Sequence, residues 1–136
     1  IGAIASRLAA EIYDLDILFE SAEDDKHNTT RFLIMASQPS TPKRGSRMIT
    51  TLVFQLRSVP AALYKSLGGF ATNGINLTKL ESYIRAGVLD KAQFYMDVEA
   101  HIDDPSMQNA LEELRFYCTK DEVHVLGTYP ASPARS

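Results

Sequence analysis

Between Met48 and Pro130 the hydrophobic period alternates repeatedly between two residues and about 3.6, and that alternation limits the chain to few folds. In "ITTLVFQLR" Leu52, Phe54 and Leu56 alternate with Val53, Gln55 and Arg57, a strand with one strongly apolar face. A helix is predicted next. Pro60 suits a first-turn position, and Leu63, Leu67, Phe70 and Ala71 form a stripe that stops before Asn73-Gly74. "INLTKLESY" and "QFYMDVE" read as two more strands joined through "IRAGVLDKA", with Phe94, Met96 and Val98 on one face and Tyr95, Asp97 and Glu99 on the other. Asp104-Pro105 reads as N-cap and first helical residue of a helix lined by Met107, Ala110, Leu111 and Leu114. "EVHVLGTY" supplies the last strand. The order β-α-β-β-α-β predicts an α+β, ferredoxin-like unit, an antiparallel sheet with two helices on one face.

Upstream, "SQPSTPKRGSR", Ser37 to Arg47, has two prolines, a glycine, three serines and no apolar period, so it reads as a linker. Its cations Lys43, Arg44 and Arg47 fit a solvated tether better than a phosphate site. Before it, Ile1, Ile4, Leu8 and Ile12 recur at helical spacing, predicting a helix from the first residue, as in a piece cut from a longer protein. "DLDILFE" and "FLIMA" read as strands, the second covered on both faces, which makes residues 1–36 an α/β fragment. The expected division is 1–36, a linker at 37–47, the ferredoxin-like domain at 48–130 and a tail at 131–136.

Composition removes several classes. Fourteen Lys and Arg against seventeen Asp and Glu give a net charge of −3, which provides no global field to attract nucleic acid or an anionic membrane. No apolar run approaches the roughly 20 residues of a spanning helix. The one cysteine, Cys118, cannot form a disulfide within the chain and reads as a small packing residue in a cytoplasmic protein. His27, His101 and His124 have no metal-ligand spacing with it, so neither metal nor cofactor is expected.

The motifs carry a family resemblance. "GAIAS", "AAEIY", Glu23-Asp24 and "NTTRF" at Asn28 to Phe32 resemble the end of the prephenate dehydratase catalytic domain. "LVFQLRSVPAALYKSLGGFATNGINLTKLES", Leu52 to Ser82, and "VLGTYP", Val125 to Pro130, resemble the ACT regulatory domain that follows it in those enzymes. The chain departs from the family at Ser21-Ala22, where Asn-Ile is frequent, at Ala61 in place of glycine, and at Tyr83-Ile84 in place of Arg-Pro.

The resemblance implies a lyase that converts prephenate to phenylpyruvate, water and carbon dioxide in phenylalanine biosynthesis, with this piece catalytically incomplete by itself. It places the catalytic threonine at Thr30, beside Arg31 and Phe32. A hydroxyl can assist the departing oxygen, an arginine fork can hold a carboxylate, and a phenyl ring can wall the site. It further implies a homodimer or higher homo-oligomer that binds L-phenylalanine between ACT domains. Ala61, Ala62 and Leu63 would contribute helix-start amides, and Asn76, Glu81 and Ser82 would contribute strand-end polar groups. The alternative is a stand-alone ferredoxin-like binding module, an amino-acid sensor or an RNA-recognition domain, although Asp97 and Glu99 beside Tyr95 would repel phosphates.

Overall fold

The computed structural model describes residues 2–24, 30–38, 40, 42–45, 47–84 and 92–132. The chain divides into two compact units, Ile1–Ala36 and Ser37–Ser136.

In the first unit one helix, α1 (Arg7–Tyr13), starts after Ser6, whose Oγ accepts from the Ala9 N–H at 3.2 Å, and ends at Asp14 in a left-handed conformation with φ 50°. The helix therefore begins later than the apolar spacing predicts, because the serine cap sets the start. Leu8 and Ile12 are exposed on it. The two strands expected at Leu15–Phe19 and Phe32–Ala36 are absent: both stretches are irregular, and Phe32, Ile34 and Met35 are exposed. An isolated extended segment has no ladder to satisfy its backbone, and none of the described residues pairs with either stretch.

The second unit contains β1 (Met48–Leu56), α2 (Ala62–Thr72), β2 (Leu77–Ile84), β3 (Ala92–Val98), α3 (Pro105–Tyr117) and β4 (Cys118–Pro130). The sheet order is β2-β3-β1-β4 and every pairing is antiparallel, the ferredoxin-like βαββαβ arrangement. The connection between β2 and β3, assigned from sequence to residues 84–92, lies mostly outside the described residues. One face of the sheet presents Leu52, Phe54, Phe94, Met96 and Val98 to Phe70 of α2 and to Met107, Leu111 and Leu114 of α3, all buried. Phe54 and Phe94 stack across the central strands with centroids 5.3 Å apart. Each such side chain contributes about 1.5–3 kcal/mol by leaving water, so this layer dominates the unit's stability.

Several local expectations change. Pro60 is not in the first turn of α2, which begins at Ala62 behind Ala61, a residue at φ 57° with no side chain to cap the helix. Ala71, placed on the apolar stripe, is exposed, whereas Leu63 and Leu67 pack on the core. Asp104 and Pro105 do open α3, but the Asp104 carboxylate accepts from the His101 N–H at 3.0 Å instead of capping the helix. β4 starts at Cys118, earlier than predicted, because Leu56 pairs with Cys118 and the Arg57 N–H bonds to the Tyr117 carbonyl at 3.0 Å.

Asp97 is fully buried and is not the exposed charge its strand pattern implies. Thr51 Oγ1 donates to its Oδ1 at 2.6 Å, and Tyr129 Oη lies 2.7 Å from the same hydroxyl. Thr51 has one proton and gives it to the carboxylate, so Tyr129 donates in turn.

The segment before β1 is irregular, as expected, yet its arginines do not behave as a solvated tether. Arg44 bonds to the Asp103 carbonyl at 2.5 Å and pairs with Asp104 at 3.3 Å, while Arg47 pairs with Glu99 at 2.7 Å. The Asp103 N–H bonds to His101 Nδ1 at 3.1 Å, so the ring proton sits on Nε2, which donates to the Pro42 carbonyl at 2.9 Å.

Candidate functional site

The residues singled out from sequence fall in two places. Thr30, Arg31 and Phe32 lie in the first unit on consecutive irregular backbone, all exposed. They are adjacent in the chain, and Asn28 and Thr29 of the same motif lie outside the described residues.

In the second unit, Ala61, Ala62 and Leu63 form the start of α2. First-turn amides of a helix lack intrahelical acceptors and carry its positive dipole end, and at Ala61 no side chain competes for them. The Ala62 N–H is occupied by the Val59 carbonyl at 3.2 Å. Ala61 holds its turn at φ 57°, in the left-handed region that costs an L-residue about 1–2 kcal/mol. The glycine of the resembled motif would avoid that cost, so the position demands a backbone conformation as well as space.

Glu81 and Ser82 lie on β2, the edge strand next to β3. Ser82 pairs with Phe94, which pairs with Phe54, so its side chain belongs to the helix face. Glu81 pairs with Tyr95 and belongs to the opposite face, where Lys79 Nζ sits 3.1 Å from its Oε1. Tyr95 is covered by the same ammonium, 5.2 Å above its ring centroid.

Asn76 lies at the other end of the sheet. β2 runs parallel to β1, because each is antiparallel to β3, so its C-terminal end and the start of α2 share one end of the sheet. Leu77 is opposite Val98 and Ser82 is opposite Phe94, which separates Asn76 from Ser82 by about 16 Å or more along the strand. One protomer therefore brings Ser82 and the helix start to one end and leaves Asn76 at the other. Asn76 has its own partners: its Nδ2 donates to Glu99 Oε2 at 2.9 Å, and its carbonyl accepts from the Glu99 N–H at 2.9 Å.

The linear pattern assigns Arg47 to a tether, Asp97 and Glu99 to one face of a strand and no ligand role to His101, and it pairs none of them with another. Arg47 and Glu99 are 52 positions apart, and only the strand register brings them together. Cys118 is buried, and that burial pushes its thiol up to about 11 despite the lowering influence of nearby Arg57. It is not a reactive nucleophile. His124 is exposed, with Glu122 3.9 Å away. No helix among the described residues is long and apolar enough to cross a membrane.

The chain is similar to several known proteins. The prephenate dehydratase family model matches residues 1–40. Over 134 residues the chain is 50% identical to a bifunctional N-acyl-homoserine lactone acylase/prephenate dehydratase of Komagataeibacter europaeus, covering 98% of this chain and 47% of that protein. It is 39% identical over 149 residues to arogenate dehydratase/prephenate dehydratase 1, chloroplastic, of Arabidopsis thaliana, covering 99% of this chain and 38% of the relative. Among solved structures, GqqA, described as a novel type of quorum quenching acylase, superposes with a TM-score of 0.64 at 47% identity, over 71% of this chain and 48% of that one. Prephenate dehydratase from Arthrobacter aurescens in complex with L-Phe superposes with a TM-score of 0.59 at 29% identity, over 73% of this chain and 35% of that one. The chain spans about half or less of the length of these relatives.

Proposed function

We infer that this chain, which is the C-terminal portion of a prephenate dehydratase, serves its parent enzyme as an effector-sensing ACT domain joined to the last segment of the catalytic domain. In this reading residues 1–36 belong to the catalytic domain, 37–47 link it to the ACT domain at 48–130, and 131–136 form a tail. The parent converts prephenate to phenylpyruvate, water and carbon dioxide in phenylalanine biosynthesis, in the cytoplasm. Thr30 supplies the hydroxyl that assists departure of the ring's hydroxyl substituent as water while the ring carboxylate leaves as carbon dioxide, Arg31 grips a carboxylate, and Phe32 walls the ring. Catalysis depends on groups held in geometry, so this piece alone does not turn prephenate over.

L-Phenylalanine is the effector and binds between two copies. The observation that carries this is the split of the candidate residues in one protomer, with Ser82 and the start of α2 at one end of the sheet and Asn76 at the other. A second copy related by a two-fold axis would bring the complementary end alongside. Helix-start amides of Ala61 and Leu63 hold the carboxylate, with Ala62, whose N–H serves the Val59 carbonyl, keeping the turn in shape, while Asn76 takes the ammonium and Ser82 and Glu81 border the site from the two faces of β2. The name of the Arthrobacter aurescens structure, a prephenate dehydratase with L-Phe, supports the ligand.

The test is calorimetric titration of the chain with L-phenylalanine, with sedimentation measured alongside. Saturable heat at one ligand per protomer, accompanied by a dimer that tightens with ligand, is expected. Absence of heat from folded protein overturns the reading. The RNA-binding alternative predicts instead a mobility shift with single-stranded RNA and no response to phenylalanine.

The name of the relative at 50% identity gives a second reading, that the parent also cleaves the amide of N-acyl-homoserine lactones. Release of fatty acid from such a lactone by the parent, compared with phenylpyruvate release from prephenate, separates the two activities.

A further inference from the structure

Glu99 joins two parts of the second unit. Its Oε1 accepts from Arg47 Nε at 3.0 Å and Nη2 at 2.7 Å, and its Oε2 accepts from Asn76 Nδ2 at 2.9 Å. Each carboxylate oxygen thus faces a different segment, one the entry to β1 and the other the entry to β2. Backbone bonds hold both segments in place, from the Glu99 N–H to the Asn76 carbonyl and from the Ala131 N–H to the Arg47 carbonyl, each at 2.9 Å. The segment carrying Arg47 is held further by His101 on the Pro42 carbonyl and by Arg44 on Asp104. Arg44, Arg47, Glu99, His101 and Asp104 line one concave surface between that segment and the sheet.

The chemistry of Asn76 follows from Glu99. A carboxylate accepts only, so the Asn76 amide must turn its NH2 toward Glu99, which leaves its Oδ1 available as an acceptor. An acceptor fixed in this way suits an ammonium group, and the carboxylate behind it adds favourable charge. We propose that Glu99 is a positioning residue for the effector site: it sets the Asn76 amide to receive the ligand's ammonium and, through Arg47, couples occupancy of that site to the segment leading into β1.

The proposal rests on the phenylalanine reading and deepens it. Ligand on Asn76 Oδ1 stiffens the Asn76–Glu99–Arg47 chain and thereby the backbone around Arg44 and Arg47. Glu99→Gln keeps the shape but has one accepting oxygen: with that oxygen on Arg47, its NH2 faces Asn76 and takes up the Oδ1 of a turned amide, and with that oxygen on Asn76, Arg47 loses its acceptor.

The experiment is hydrogen exchange on the chain with and without saturating L-phenylalanine, with melting temperature recorded in parallel, for the native protein, Glu99→Gln and Arg47→Ala. In the native protein, phenylalanine is expected to raise the melting temperature and slow exchange in the peptide containing Arg44 and Arg47. Glu99→Gln binds about tenfold more weakly, the loss expected for a charge-assisted hydrogen bond, and its Arg44–Arg47 peptide no longer responds to saturating ligand. Arg47→Ala retains binding within a few-fold and loses the exchange response. A melting shift in the native protein without slower exchange at that peptide overturns the coupling while leaving the phenylalanine reading intact. An unchanged exchange response in Glu99→Gln overturns the role of Glu99. No melting shift in any protein overturns the reading and the proposal together.

Discussion

Gly69 of α2 and Glu113 of α3 meet so closely that a methyl group on Gly69 would lie 2.9 Å from the Glu113 Cβ. The obstacle is the root of the Glu113 side chain, so the helices themselves would have to separate. Gly68, its neighbour in the same helix, has nothing within 4 Å of such a group. Gly69→Ala should therefore lower stability by about 1–3 kcal/mol, as overpacking does, even after the gain in helix propensity. Gly68→Ala should raise it by about 0.5–1 kcal/mol. Urea unfolding of the pair reads both signs in one helix, and equal effects would refute the helix contact.

At Ala61 the strain lies in the backbone. The residue is exposed, where substitutions ordinarily change stability within about 0.5 kcal/mol. Its φ of 57° makes a β-branched side chain unfavourable, so Ala61→Val should cost about 1–2 kcal/mol. Ala61→Gly should change stability by about 0.5 kcal/mol or less, because relief of the left-handed backbone is offset by the greater entropy of the unfolded chain. Thermal melts of the two variants test this.

The Tyr129–Thr51–Asp97 chain contributes at the other face of the sheet. Thr51→Val removes a donor from a fully buried carboxylate and should cost about 1–3 kcal/mol. Tyr129→Phe leaves Thr51 bonded to Asp97 and should cost about 0.5–1.5 kcal/mol. Chemical denaturation of both variants checks the order.

Cys118 sets an alkaline limit. Its thiol is raised to about 11 in the folded chain, chiefly by burial, so the folded state retains the proton longer than the unfolded state does. Above the unfolded value of about 8.5, unfolding releases a proton, and the contribution of this thiol to stability declines until the folded thiol itself ionises. Between about pH 9 and 11 the native chain should lose stability faster than Cys118→Ala, as read by urea midpoints across that range. Alkylation by iodoacetamide at pH 8 should be slow until the chain unfolds.

The second unit was readable because its apolar positions follow strict local periods. Leu52, Phe54, Met96, Leu111 and Leu114 each fall on the face that their spacing dictates. Asp97 shares its period with Tyr95 and Glu99, and a two-residue period cannot tell which polar position finds a buried donor on the next strand. The Arg47–Glu99–Asn76 cluster depends on register between segments far apart in sequence, which a linear pattern does not encode. Residues 15–19 and 32–36 have strand composition, but a strand exists only with a partner to complete its ladder. Asn76 and Ser82, six positions apart in sequence, are held at the two ends of β2 by the extended backbone between them, so their nearness in the sequence conceals their distance.

The two rims of the sheet are unequal. β4 has register breaks against β1 and a left-handed residue, Asp121, whereas β2 pairs with β3 without a break from Lys79 to Ile84. A bent rim is a poor template for another backbone, while a straight one invites a matching strand. β2 has its one register shift between Leu77 and Lys79, so the stretch from Lys79 to Ile84 is the rim better shaped to take an added strand, and β4 the worse.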